Sequence, residues 1–216
     1  MKKAGKDMFE LIQIKEYEGI VIATILEKKS AKWDVRLIKE LHDFVEQVRR
    51  NSRIQVIIFV REKQENRYAE EIRRPFLSPA IYTKMKEDLF HAIETLNVPT
   101  IAVMEGGVAV DYLEFSFMCD FRLTAEDTQL NFCFENGERP SYAGIKKISQ
   151  MIGEMRTKEL FFTSKILSTR SAVQIGLVNG IAEPERLMAE SIEFAKCIKL
   201  TGTDMVNYVK GAFEVR

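Results

Sequence analysis

The chain has 216 residues, 46% hydrophobic and 30% charged, a balance that sustains one globular domain and excludes a largely disordered chain. Its 32 Lys and Arg are matched by 32 Asp and Glu, so the basic excess of a nucleic-acid binder is missing. Three cysteines with no CxxC pair and two histidines, His42 and His91, describe neither a disulfide framework nor a zinc centre.

The N-terminal stretch MKKAGKDMFELIQ is basic but lacks the apolar core of a signal peptide. No run reaches the roughly 18 apolar residues of a membrane span, so a cytoplasmic protein that contacts no membrane is expected. Phe9–Lys15 and Ile20–Leu26 are apolar and β-branched, and Glu18-Gly19 between them predicts a hairpin. From Trp33 to Arg50 the period changes. Leu37, Leu41, Phe44 and Val48 form one stripe of an amphipathic helix. Ile54–Val60 (IQVIIFV) has the continuous apolar run of a strand buried on both faces of a parallel sheet. The charged Arg61–Arg74 stretch that follows reads as a solvated surface loop.

A second helix is predicted from Pro79 to Leu96, with Pro79 in the first turn and Ser78 as its cap. Pro99 then introduces a strand over Thr100–Met104. A Gly106-Gly107 turn leads into a helix over Val108–Cys119, followed by short strands near Phe121–Thr124 and Leu130–Phe132. Helices over Ala143–Ile152, Arg156–Thr163 and Thr169–Ile175 come next. A strand over Leu177–Ile181 and a long helix from Pro184 to Lys199 complete the series. Strands and helices alternate, which predicts an α/β fold with parallel strands and crossover helices.

Two segments carry a resemblance. Residues 98–120 read VPTIAVMEGGVAVDYLEFSFMCD and residues 152–180 read IGEMRTKELFFTSKILSTRSAVQIGLVNG. With Pro99, Ile101, Ala102, Gly106, Glu114, Cys119 and Asp120 in the first, the chain resembles the enoyl-CoA hydratase/isomerase (crotonase) superfamily. Gly153, Glu159, Leu160, Thr163, Ile166, Ala172, Gly176, Leu177 and Val178 extend the match in the second. The resemblance implies a crotonase-like ββα spiral core over residues 1–198. Residues 199–216 would begin a shortened C-terminal helical region, in which Thr203–Phe213 is helical.

That family stabilises the enolate of an acyl thioester between two backbone N–H groups, one in a loop after the buried strand and one in a triple-glycine turn. By the resemblance, the first loop falls near Tyr68-Ala69-Glu70-Glu71-Ile72 and the second turn on Val110-Asp111-Tyr112. Glu70 and Asp111 therefore mark the two positions flanking the thioester carbonyl. An Asp side chain there carries the wrong sign for a developing oxyanion. Glu114 falls on the family's first catalytic glutamate, and a carboxylate on a helix facing an apolar cleft is suited to proton transfer.

The hydratases' second glutamate corresponds to Cys133, with Glu135 two places on, so plain hydration is disfavoured. Tyr82 and Lys86 share one face of the second helix at i and i+4, where decarboxylating family members place a Tyr and a Lys. Tyr68, Tyr112, Cys133, Tyr82 and Lys86 are the candidate substrate-binding residues. The resemblance implies a substrate carried by coenzyme A or an acyl carrier protein, no further cofactor, and a homotrimer or hexamer. The reaction would be an enolate-type proton transfer, such as isomerisation, decarboxylation or hydration of an enoyl group. A crotonase-fold subunit that binds or assembles without catalysis is the alternative.

Overall fold

The computed structural model describes residues 9–26, 33, 35–61, 79–134 and 139–213. In chain order the first elements are β1 (Ile12–Tyr17), β2 (Ile20–Ile25), α1 (Val35–Arg49), β3 (Val56–Arg61), α2 (Pro79–Glu94), β4 (Thr100–Met104), β5 (Gly107–Ala109) and α3 (Val110–Met118). They are followed by β6 (Phe121–Ala125), β7 (Gln129–Asn131), α4 (Tyr142–Ile152), α5 (Glu154–Phe162), β8 (Ile166–Ser168), α6 (Thr169–Gln174), β9 (Gly180–Ala182), α7 (Pro184–Thr201) and α8 (Thr203–Phe213).

The β1–β2 hairpin turns on Glu18 and Gly19, both with positive φ (49° and 83°), the pair of left-handed residues whose twist matches antiparallel strands. From β2 onward the main sheet is parallel, in the order β1-β2-β3-β4-β6-β9. A smaller sheet has the order β5-β7-β8, with β7 and β8 antiparallel.

Side-chain alternation along the central strands explains why the main sheet is covered twice. Ile57 and Phe59 of β3 and Ala102 and Met104 of β4 enter the larger core, beneath α1, α2 and α3. Val56, Ile58, Ile101 and Val103 point to the opposite face, where Leu187 and Ala195 of α7 cover them. A strand with consecutive apolar residues is thus a strand with two partners, as the Val56–Val60 run within IQVIIFV predicts.

Several boundaries differ from the sequence expectations. β3 begins at Val56, since the N–H groups of Gln55 and Val56 both turn to the carbonyl of Gly19. The helix expected over Val108–Cys119 opens instead with β5, whose three residues pair with β7 before α3 begins. β8 has no counterpart in the periodicity, because three residues are too few to display a period. The strand expected over Leu177–Ile181 is Gly180–Ala182, where register with Leu123–Ala125 holds it. α5 starts at Glu154, directly after Gly153 (φ 82°), which caps α4.

α7 continues through Thr201, and Gly202 (φ 84°) separates it from α8. α8 has no buried residue, and Lys210 fastens it by ion pairing with Asp120 at 2.8 Å. Among the described residues, no helix is long and apolar enough to cross a membrane. The expected Arg61–Arg74 loop falls almost wholly on residues 62–78, outside those described.

Candidate active site

Two helices meet with a matched pair of side chains each. On α2, Tyr82 and Lys86 lie one turn apart; on α3, Asp111 and Glu114 lie three residues apart on one face. All four join a single hydrogen-bonded cluster. The Lys86 ammonium bonds Asp111 Oδ1 and Glu114 Oε2, the latter at 2.7 Å. Tyr82 donates its hydroxyl to Asp111 Oδ2 at 3.0 Å, and the Trp33 backbone N–H donates to the same oxygen at 2.7 Å. Glu114 Oε1 accepts the backbone N–H of Ser141 at 2.6 Å.

This cluster is shielded from water: Lys86 is 6% exposed, and Asp111 and Glu114 are 2% exposed each. Trp33 caps one side, its ring 5.1 Å from that of Phe115, and the Phe90 ring lies 5.5 Å from the Lys86 ammonium. Burial opposes a charge on Lys86, yet Asp111 and then Glu114 outweigh it and raise its proton affinity above the usual lysine value. Lys86 is therefore an ammonium at neutral pH.

Among the described residues, one cation here meets two carboxyl groups, and helix geometry adds to its pull. Asp111 sits in the first turn of α3, and Glu114 takes an N–H at the start of α4, so each carboxylate faces the positive end of a helix. The Asp111 side chain is thus fully engaged with partners on α2 and at Trp33.

Other candidate residues are placed apart. Tyr112 lies next to Asp111 in sequence but turns to the sheet, 1% exposed, with its hydroxyl within hydrogen-bond distance of the carbonyls of Phe59 (3.0 Å) and Val103 (2.9 Å). Tyr112 supports the strand ends, under the Arg61 guanidinium 5.9 Å from its ring. Cys133 is half-buried, and its N–H is taken by the Asn131 side chain at 2.8 Å. Glu70, Tyr68 and Glu135 lie outside the described residues. Among the described residues no three His, Cys, Asp or Glu side chains converge as metal ligands.

Sequence reasoning did not find Trp33, Ser141 or Gly144 in this site. The first two act through backbone N–H groups, which every residue but proline has, so their identity carries no signal. Gly144 enters through what it lacks.

The mainly parallel sheet between helix layers and the small side sheet are those of a crotonase-fold protein. The chain belongs to the enoyl-CoA hydratase/isomerase family, whose sequence model matches residues 15–216. It is 28% identical over 127 residues to a crotonyl-CoA hydratase of Syntrophomonas wolfei, covering 58% of this chain and 49% of that protein. It is 30% identical over 135 residues to a probable mitochondrial enoyl-CoA hydratase 2 of Arabidopsis thaliana, covering 62% of this chain and 44% of that protein. The chain thus spans about half the length of these curated relatives.

Among solved structures, an enoyl-CoA hydratase from Bacillus anthracis superposes with a TM-score of 0.82 at 24% identity, covering 94% of this chain and 82% of that one. An enoyl-CoA hydratase from Mycobacterium smegmatis gives 0.84 at 18% identity, covering 95% and 84%. At such identities the likeness is one of fold.

Proposed function

We propose that the chain acts on an acyl thioester of coenzyme A and moves a proton on its acyl group, with Glu114 as the acid/base. The observation that carries this reading is Glu114 itself: a carboxylate 2% exposed, held by Lys86 and the Ser141 N–H, which the sequence resemblance aligns with the family's first catalytic glutamate. Each oxygen of Glu114 spends one lone pair on these partners and keeps another for a proton. On this reading Glu114 first takes a proton from the acyl group, beside the Lys86 ammonium.

A proton would pass from the α- or γ-carbon of an enoyl group to Glu114. The electron pair would move onto the thioester oxygen, facing the backbone N–H of Asp111 in the first turn of α3. Return of the same proton to the other carbon shifts the double bond. Isomerisation balances with one carboxylate, whereas adding water calls for a second group, and Cys133 stands where that group is expected. The test is turnover of short-chain enoyl-CoA isomers by Glu114→Gln. We expect kcat to fall by about 100-fold or more, within the range of general acid–base catalysis. A wild-type rate would remove Glu114 from the mechanism.

One observation favours a second reading, binding without catalysis. Asp111 places a buried carboxylate, satisfied by Lys86, Tyr82 and the Trp33 N–H, where the family has glycine. On that reading, coenzyme A thioesters or acyl carrier protein conjugates raise the melting temperature with no turnover. A ligand at about 100 times its Kd adds about 2.7 kcal/mol.

A further inference from the structure

The first turn of α4 closes over Glu114. Ser141 caps that helix, its hydroxyl accepting the Gly144 N–H at 3.0 Å while its own N–H reaches Glu114 Oε1 at 2.6 Å. Gly144, on the same turn, is buried, and the space a side chain would fill is already taken. A Cβ on Gly144 would stand 2.7 Å from Glu114 Oε1, 3.4 Å from Glu114 Cδ and 3.1 Å from Ser141 Oγ. The first distance is shorter than carbon and oxygen tolerate without bonding, and the obstructing oxygen has little freedom to retreat. It belongs to a carboxylate whose other oxygen is bonded to the buried Lys86.

We propose that Gly144 is a positioning residue for Glu114: its missing side chain leaves the slot that seats Oε1 beneath α4, and so sets the plane and reach of the carboxylate. The inference rests on the reading of Glu114 as the acid/base, and extends it to a residue on another helix. The lysine fixes one oxygen by attraction; the glycine fixes the other by leaving room. A methyl group at 144 would push Oε1 out of the slot, away from the Ser141 N–H and against Lys86.

The experiment uses the full chain with ¹³C at its glutamate side-chain carboxyls, the Glu114 resonance being the one absent from E114Q. In Gly144→Ala this resonance is expected to move, whereas in Ile148→Val, a buried change further along α4, it stays. Turnover of a short-chain enoyl-CoA by G144A is expected to drop about tenfold or more in kcat with KM within about twofold, since displacing a reacting group by about 1 Å can cost 10²-fold. Ile148→Val keeps both constants.

A third readout covers a simple loss of stability. On the Glu114→Asp background the shorter side chain withdraws from the added methyl, so the drop in melting temperature caused by G144A is expected to fall by about half or more. An unmoved Glu114 resonance in G144A, additive melting temperatures, or an unchanged kcat in G144A would each overturn the positioning role. If the wild type turns over no thioester, the acid/base reading fails by itself. The resonance and the double variant then still decide whether Gly144 seats the carboxylate.

Discussion

At its N-terminal end α3 meets Lys86, whose ammonium is held by the carboxylates of Asp111 and Glu114. At its C-terminal end it meets Arg122, 4% exposed, whose guanidinium is held chiefly by the backbone carbonyls of Leu177 (2.7 Å), Cys119 (2.8 Å) and Ser116 (3.3 Å), with the Asn179 side-chain oxygen at 3.4 Å. Both sites bury a cation beside one helix, and both cations have their partners. Their partners differ in kind. A carbonyl takes no proton at ordinary pH and moves only with the backbone, so the Arg122 site has one state. Carboxylates can gain protons and turn about side-chain bonds, so the Lys86 site has several. A buried charge answered by titratable side chains on two helices marks a site for chemistry, and one answered by backbone marks a joint.

The surroundings repeat the contrast. Burial pulls Arg122 below its usual value, while Lys86 is lifted above its own because Asp111 and Glu114 outweigh burial. Beside Arg122, burial, then the Asp120 charge, pushes the Cys119 thiol up to about 12. That thiol has no thiolate to offer at neutral pH and belongs to the joint.

The sharpest way to break the comparison is Lys86→Met. It strands two carboxylates with 2% exposure, and the loss of one partner from a buried ion pair costs about 3–5 kcal/mol, read from the denaturation midpoint at constant slope. The loss carries a pH signature. Lys86 has its folded value raised above 10.5, so its contribution is fully present below pH 10.5 and disappears as pH climbs through the folded value. The gap between wild type and variant is therefore expected to be constant from neutral pH to about 10 and to narrow above 10.5. A gap that widens there would contradict the assignment.

Arg122→Met is expected to cost less, about 2–3 kcal/mol, for buried carbonyls left without donors. In the folded fraction kcat should hold at the wild-type value. Smallest is Ser141→Ala. It removes the cap on the Gly144 N–H for about 1 kcal/mol while keeping the N–H that Glu114 accepts, so stability should drop and kcat should not.

Much of this molecule is legible in its sequence, unevenly. The two-faced core strands announce themselves, because β3 and β4 carry the continuous apolar runs Val56–Val60 and Ile101–Met104. β5 and β8 do not, because three-residue strands exist only through their partners' register. At the site, Tyr82 with Lys86 and Asp111 with Glu114 can be found because helical spacing aligns side chains. Tyr112 stands apart from that cluster: each helix step rotates by about 100°, so the neighbour of a site residue faces elsewhere, here the carbonyls of Phe59 and Val103. The contributions of Trp33 and Ser141 are invisible in principle, being main-chain donors that only the folded path brings to the carboxylates.

The main sheet also has to end somewhere, and its two margins are finished differently. Among the described residues, β1 leaves Gln13, Lys15, Glu16 and Tyr17 exposed, so that margin carries both signs of charge and one bulky ring. β9 offers only three residues along the other margin, too short to template a foreign strand. Margins guarded in these two ways disfavour edge-to-edge pairing of the described sheet with its own copies.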